Sequence, residues 1–432
     1  MSSPAKSAPN AKGMKARAAC VFVGCMALIA ITYGTMNIQS NYLIPICEQT
    51  GATLTEASVM FSAAAFASAI AGLVAAAIID KVPMKLLMFG GIACFIAFFA
   101  ILYFAKSLPM IYVAGALYGC CQTFAGFTTC QPLVTWWHAR HTALKISMLS
   151  VSMKVFAMIL SPLVVWLLAT IGYHGTLLVN GGLLGIVAIL CIVFLISNKP
   201  ASYGMDPYAE TADAAPAKDE APSEKKAEEE GLSVKQSFKT FPFWAVMIAS
   251  FLICIPVAGF VTNAAVIFQS CGMDAVGAGN MISLYSFFAI FTVALYGVIS
   301  DRLNPRAANL ISTGVAAVFL VLFMVCDGMV SAVSIAIAFA ILSAFTGLIA
   351  AVTLGPIYGP KPIGTLVSLG LVACGMGSTA APPVAASIYA ATGSYNDFIL
   401  IGVVICVAVF ILIATATSKR AVAHVEKLKG KE

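Results

Sequence analysis

Stretches of about 20 or more mostly apolar residues recur along the whole chain, and this one feature decides what it can fold into. Backbone placed in lipid has to satisfy its own N–H and C=O groups, so each stretch is expected to be a helix crossing a hydrocarbon core roughly 30 Å thick. Twelve such spans are expected, at 18–44, 56–79, 85–105, 109–134, 144–170, 175–197, 243–268, 278–300, 306–326, 330–354, 363–391 and 397–417. The fold class is therefore an all-α membrane protein with twelve transmembrane helices. Composition agrees, since 61% of the residues are hydrophobic and 10% charged, against roughly 45–50% apolar in soluble domains.

The second half repeats the first at an offset of 221 residues. Gly51 then meets Gly272, Asp80 meets Asp301, Lys81 meets Arg302, Lys85 meets Arg306, Arg140 meets Lys361, Pro162 meets Pro383, Gly172 meets Gly393 and Lys199 meets Arg420. A register held without a gap over about 150 residues marks a duplicated unit. Two six-helix, pseudo-symmetric halves of the same hand follow, related by an axis along the membrane normal, with any ligand site near the midplane between them. The expected division is a tail at 1–17, a first half at 18–198, a linker at 199–240, a second half at 241–418 and a tail at 419–432. The linker is rich in Ala, Glu, Lys and Pro and too poor in apolar residues to fold alone, apart from one short helix expected near Ser223–Glu230. The last tail reads as a solvated basic end lying near anionic lipid headgroups.

Charge sets the orientation. With the amino terminus in the cytoplasm, 22 of the 24 Lys and Arg residues fall on the cytoplasmic side, Lys106 lies outside and Lys154 lies within a span. That bias places both termini in the cytoplasm, in a plasma (cytoplasmic) membrane protein. The basic start with Lys6, Lys12, Lys15 and Arg17 resembles a signal peptide, but its apolar run exceeds the usual 7–15 residues, so an uncleaved first span is expected. The net charge of +6 needs no nucleic acid to explain it. The 13 cysteines show no CxxC and no metal-ligand spacing, so neither metal nor cofactor is expected. A bridge among Cys47, Cys271 and Cys326, near the outer span ends, is left to geometry. With no nucleophile and base, metal cluster or phosphate loop apparent, an enzyme is not expected.

Lys154 stands in the middle of an apolar span, nine residues and so about 14 Å from Lys145 at its start. A cation at that depth is costly unless it faces a cavity and meets a partner, which makes it a candidate binding residue. Ser147, Ser150, Lys154, Ala157 and Ser161 share one side of the helix, a small and polar strip suited to lining a cavity. All 18 Asp and Glu residues lie in the linker, tails, loops or span ends, so an anion is the expected partner. Tyr33, Asn37 and Asn41 form a polar stripe on the first span; Tyr33 and Asn37 are expected to line the cavity, with Gln122, Asn263 beyond a kink at Pro256, Tyr285 and Tyr358 as further candidates. Gly115, Gly119, Gly370 and Gly377 read as close-packing points between helices.

Gating candidates sit at span ends. Asp80-Lys81-Val82-Pro83-Met84-Lys85 in the first half matches Gly297-Val298-Ile299-Ser300-Asp301-Arg302-Leu303-Asn304-Pro305-Arg306 in the second. An aspartate at a helix end beside a basic pair can latch neighbouring helices in one state and release them in another. Asp80, Lys81, Lys85, Arg140, Asp301, Arg302 and Arg306 are expected to serve so.

The second of these segments resembles the GxxxD-R/K-x-x-x-R/K loop signature of the major facilitator superfamily, and the span count and repeat resemble it over nearly the whole chain. Trp136-Trp137-His138-Ala139-Arg140, Lys199 to Pro207, Phe241-Pro242-Phe243-Trp244 and Tyr358-Gly359-Pro360-Lys361 resemble segments of its oxalate/formate antiporter and monocarboxylate porter branch. The resemblance implies secondary or facilitated transport by alternating access, of a small organic anion and most simply a monocarboxylate, by a monomer. Ala76 replaces the glycine before Asp80, Tyr173-His174 stands where relatives have Trp-Arg, and Lys145 takes a usual glycine position. The span at 278–300 also lacks the basic residue many carboxylate porters carry there, which argues against oxalate, a dianion wanting two cations. With no acid in the spans to carry a proton, a counter-substrate or uniport is expected, and proton symport would fall to Lys154 itself. The other readings are an exporter of amphipathic compounds and a transporter-like membrane sensor.

Overall fold

The computed structural model describes residues 11–79, 81–138, 142–197, 234–346, 349–358 and 360–429. Apolar spans become helices because only the i→i−4 ladder satisfies their backbone in lipid. In the first half these are α1 (Ala11–Ile38), α2 (Leu43–Thr50), α3 (Leu54–Ile78), α4 (Met84–Phe104), α5 (Leu108–Phe124), α6 (Phe127–Trp137), α7 (Thr142–Leu178) and α8 (Leu184–Phe194). The second half holds α9 (Val234–Ser237), α10 (Phe241–Ser270), α11 (Ala275–Arg302), α12 (Pro305–Val325), α13 (Gly328–Thr346), α14 (Ile349–Tyr358), α15 (Pro360–Thr392), α16 (Asn396–Ala416) and α17 (Lys419–Lys429).

Among the described residues, 11 helical stretches are long and apolar enough to cross a membrane. The longest, Lys145–Phe194, has 50 residues, about 75 Å as one rod and more than twice a bilayer core. It reverses at Gly172, whose φ of 72° is a left-handed conformation that glycine adopts without strain. Before the reversal the stretch rises along α1, where Ser152 bonds the Met26 carbonyl and Asn41 bonds Ser161. After it the chain descends along α4, His174 meeting Tyr103 and Val193 meeting Lys85, while Asn180 donates to the Tyr42 hydroxyl of the first crossing. The stretch thus crosses twice, giving twelve crossings.

The duplication is written into the backbone. Gly51 and Gly272 (φ 68° and 84°) close the first helix pair of each half, and Gly172 and Gly393 (φ 72° and 71°) reverse the chain at matching points. Thr53 caps α3 in a capping box, its Oγ1 accepting from the Glu56 N–H at 3.3 Å while Glu56 Oε2 accepts from the Thr53 N–H at 2.8 Å. Its repeat partner Asp274 caps α11 at the Gly277 N–H, 2.8 Å. Lys85 donates to the Val193 carbonyl at the end of α8 (3.2 Å), and Arg306 donates to the Ala414 carbonyl at the end of α16 (3.5 Å). Both acceptors and both donors are again 221 residues apart.

Small residues let the helices close. A Cβ added at Gly119 or Gly115 would strike the carbonyl oxygens of Ala64 or Met60 on α3, one at Gly377 would strike that of Phe251 on α10, and one at Gly370 would meet the Ala350 side chain. Large side chains such as Leu73, Phe194, Trp166, Phe291, Val318 and Val325 point outward and are exposed, as a lipid-facing surface requires.

Some boundaries differ from expectation. The first crossing extends from α1 through a 3-10 turn at Gln39–Tyr42 into α2, because that polar turn is wholly buried and its backbone continues the helix. The fourth breaks at Ala125 and Gly126, where a side chain on Gly126 would collide with the Tyr33 ring. The final tail is helical from Lys419, and Val425 is fully buried rather than solvated. All 13 cysteines are free, so the bridge considered among Cys47, Cys271 and Cys326 is not formed. The short helix expected near Ser223–Glu230 lies outside the described residues.

Candidate functional site

Lys154 lies where the halves meet. Its helix α7 runs beside α1 on one side and α11 of the second half on the other, which brings three polar side chains of separate helices together. The Lys154 ammonium donates to Asn37 Oδ1 at 2.9 Å and to the Tyr285 hydroxyl at 3.1 Å, and it stands 4.8 Å from the centre of the Tyr285 ring. Exposure of Lys154 is 8%, of Asn37 7% and of Tyr285 1%. Both hydrogen-bond partners are neutral, so the ammonium keeps an uncompensated charge inside the bundle. Asn37 is itself held by its amide donating to the Tyr33 carbonyl at 2.8 Å, and the Tyr285 ring rests edge-on against Phe260, which stacks on Phe339 at 4.2 Å.

A cavity lies on each side of this level. Toward the end of the bundle where α1 begins, here the tail end, a cavity of about 340 Å³ reaches Lys154 and is bounded by Phe127 and Gln131 of α6, Ser147, Ser150 and Val151 of α7, Ile290 and Val293 of α11, and Ser343 of α13. Toward the opposite, far end, a second cavity of about 320 Å³ is bounded by Asn41, Glu48, Ala169, Ala265 and Gln269. Between them, Asn41 donates to Ser161 Oγ (3.3 Å) and Ser161 donates to the Gly279 carbonyl (2.9 Å). Among the described residues two hydrogen bonds cross between the halves, Lys154 to Tyr285 and Ser161 to Gly279. A Cβ on Gly279 would lie 2.6 Å from Val165 Cγ2, so glycine permits the close approach at the far side.

The candidates from sequence therefore separate. Lys154, Asn37 and Tyr285 come together, Ser150 lines the same cavity, and Tyr33 stands one layer behind with its ring against Phe127 at 4.8 Å. Gln122 is buried and donates to Met36 Sδ at 2.8 Å. Asn263 is buried and donates to the Gly259 carbonyl at 2.9 Å within its own helix. Tyr358 is buried at the tail end, its hydroxyl bonded to Thr240 Oγ1. These three side chains pack helices and do not border the Lys154 cavity. Lys81, Arg302 and Arg306 are exposed, and Lys85 and Arg306 bond helix ends within their own halves. Asp80, Arg140 and the Asp301 side chain lie outside the described residues. Gln131, Ser343 and the Ser161–Gly279 contact were missed. A polar residue in a long span signalled the first two, whereas a backbone acceptor such as Gly279 has no sequence signature.

Two six-helix halves enclosing a buried cation, with a cavity above and below it, define a membrane protein of the transporter class. Residues 24–359 match the profile of the Major Facilitator Superfamily, and the chain belongs to that family. Its fold is similar to that of a bacterial homologue of the human lysosomal transporter Spinster in an inward-facing, unoccupied conformation, with 14% identity, 96% of this chain and 95% of that one covered and a TM-score of 0.66. It is also similar to the nucleoside transporter NupG, with 11% identity, 93% and 100% covered and a TM-score of 0.72. No curated protein sequence matches the chain.

Proposed function

We propose that this protein moves a small organic anion, a monocarboxylate, across the cytoplasmic membrane by alternating access of its two halves. The observation that carries this reading is Lys154, a buried ammonium at the seam whose partners, Asn37 and Tyr285, are both neutral. An anion entering the adjoining cavity meets an unpaired positive charge in a medium of low dielectric, where the attraction is far stronger than in water. The carrier runs as an exchanger or uniporter, because none of the described residues lining the Lys154 cavity is a carboxylate that could shuttle a proton there, the acid Glu48 bounding the far cavity instead. The excess of Lys and Arg at the tail end orients that end, with both termini, toward the cytoplasm. Asp80 and Asp301 with their basic neighbours act as the tail-end gates.

Counterflow of a labelled carboxylate into proteoliposomes tests this. Wild type is expected to exchange the carboxylate and not its amide, and Lys154→Gln to lose exchange while remaining folded. Retained carboxylate exchange by well-folded Lys154→Gln protein overturns the mechanism.

A further inference from the structure

The cavity at Lys154 also describes the shape of what it takes. Resting on the anion-carrier reading above, we infer that the substrate is a monocarboxylate with one compact apolar body, a single ring or branched chain, and a hydroxyl or keto oxygen at the end opposite its carboxylate.

The charge count comes first. Of the described residues lining the tail-end cavity, Lys154 alone is charged. A second carboxylate would be buried without a counter-charge, so dianions are disfavoured. The donors come next. An ammonium has three N–H groups, and Lys154 gives two of them to Asn37 and Tyr285, leaving one for a ligand. Tyr285 accepts from Lys154 and keeps its own O–H to donate. Lys154 lines the cavity whereas Tyr285 is 1% exposed and does not, so the third N–H is the group that receives a carboxylate oxygen and Tyr285 holds the ammonium from behind.

The body follows from the walls. About 340 Å³ is near the small end of ligand sites, which run roughly 300–1,000 Å³. The flanks are mostly Phe127, Val151, Ile290 and Val293, which offer apolar contact, and the Ser343 hydroxyl among them is already donated to the Ala340 carbonyl. Formate or acetate would leave these walls uncovered and forfeit the burial that favours binding.

The opposite end is polar. Ser150 lies one turn tailward of Lys154, about 6 Å along the helix, and Gln131 faces it from α6 across the same cavity. Among the described residues neither side chain makes a hydrogen bond to protein, so both can engage a ligand oxygen. A site built to hydrogen-bond one substrate oxygen discriminates strongly against analogues that lack it.

The test is counterflow with the purified full chain, using 4-hydroxyphenylacetate, phenylacetate, acetate and malonate as probes, in wild type, Ser150→Ala, Gln131→Leu and Lys154→Gln protein matched for melting temperature. The expected order in wild type is 4-hydroxyphenylacetate, then phenylacetate, with acetate and malonate at least about 10-fold weaker. Ser150→Ala and Gln131→Leu are each expected to raise KM for 4-hydroxyphenylacetate about 10-fold and KM for phenylacetate several-fold less. If acetate or malonate exchanges best and still depends on Lys154, the anion carrier stands and this substrate class falls. The class also falls if both variants treat the two aromatic acids alike. If no carboxylate exchanges, or Lys154→Gln exchanges all of them as wild type does, the anion-carrier reading fails and this inference with it.

Discussion

The Ser161 hydroxyl donates to the Gly279 carbonyl at 2.9 Å, joining the halves two turns beyond Lys154 on the far side. Its geometry depends on the missing Cβ at Gly279, which would otherwise lie 2.6 Å from Val165 Cγ2. Gly279→Val is expected to hold the far side apart and to lower transport at least about 10-fold. In that variant a cysteine placed at Ala169, which lines the far cavity, should react several-fold faster with an impermeant maleimide, followed by mass spectrometry of its peptide. Ser161→Ala removes two hydrogen bonds, the one given to Gly279 and the longer one accepted from Asn41, about 0.5–1.5 kcal/mol each, but introduces no clash and should shift labelling less. An unchanged rate in Gly279→Val would show that this contact does not close the far side.

Tyr285→Phe keeps the ring beneath the Lys154 ammonium and removes the oxygen it donates to. A hydrogen bond to a charged group contributes about 1.5–3 kcal/mol, so kcat/KM for a carboxylate should fall about 10- to 100-fold, with Asn37→Ala falling in the same range. Initial rates in proteoliposomes measure it. Wild-type kinetics in both variants would separate these residues from the transport path.

Lys85 and Arg306 each place a cation on the terminal carbonyls of a helix in the same half. Such a contact contributes at most about 1 kcal/mol near a surface. Lys85→Ala and Arg306→Ala should each lower the detergent melting temperature by a few degrees and leave substrate affinity within about 2-fold. A large loss of affinity with unaltered melting would place them in contact with the ligand rather than at the gates.

Asp80→Asn and Asp301→Asn should slow transport while equilibrium binding stays within a few fold, because a gate residue biases populations of states rather than contacts to the ligand. Parallel measurement of turnover and of affinity by isothermal titration decides it. Normal turnover in both variants removes the two carboxylates from the gates.

The repeat was legible because glycines needing positive φ cannot drift: Gly51, Gly172, Gly272 and Gly393 mark the same two turns in each half. Helix ends were less so. A polar segment such as Gln39–Tyr42 reads as an exit from the membrane, yet burial keeps it helical and carries the first crossing on to Thr50. In the site, Lys154 stood out because one charge in an apolar run has few structural uses. Gln122, Asn263 and Tyr358 looked equally polar from sequence, but each finds a partner within its own half, a choice made by packing and invisible in spacing.

The far end of the bundle has almost no loops. Its connections, such as 51–53, 105–107, Cys271–Asp274 and the single residue Gly172, contain at most four residues. Segments this short and tied down are poor substrates for proteases and poor epitopes for antibodies. Apart from the far cavity and a polar hollow of about 320 Å³ among Cys271, Asp327, Ser331 and Asn396, that side offers little chain to grip, so a molecule acting from there has to do so by filling one of these two hollows.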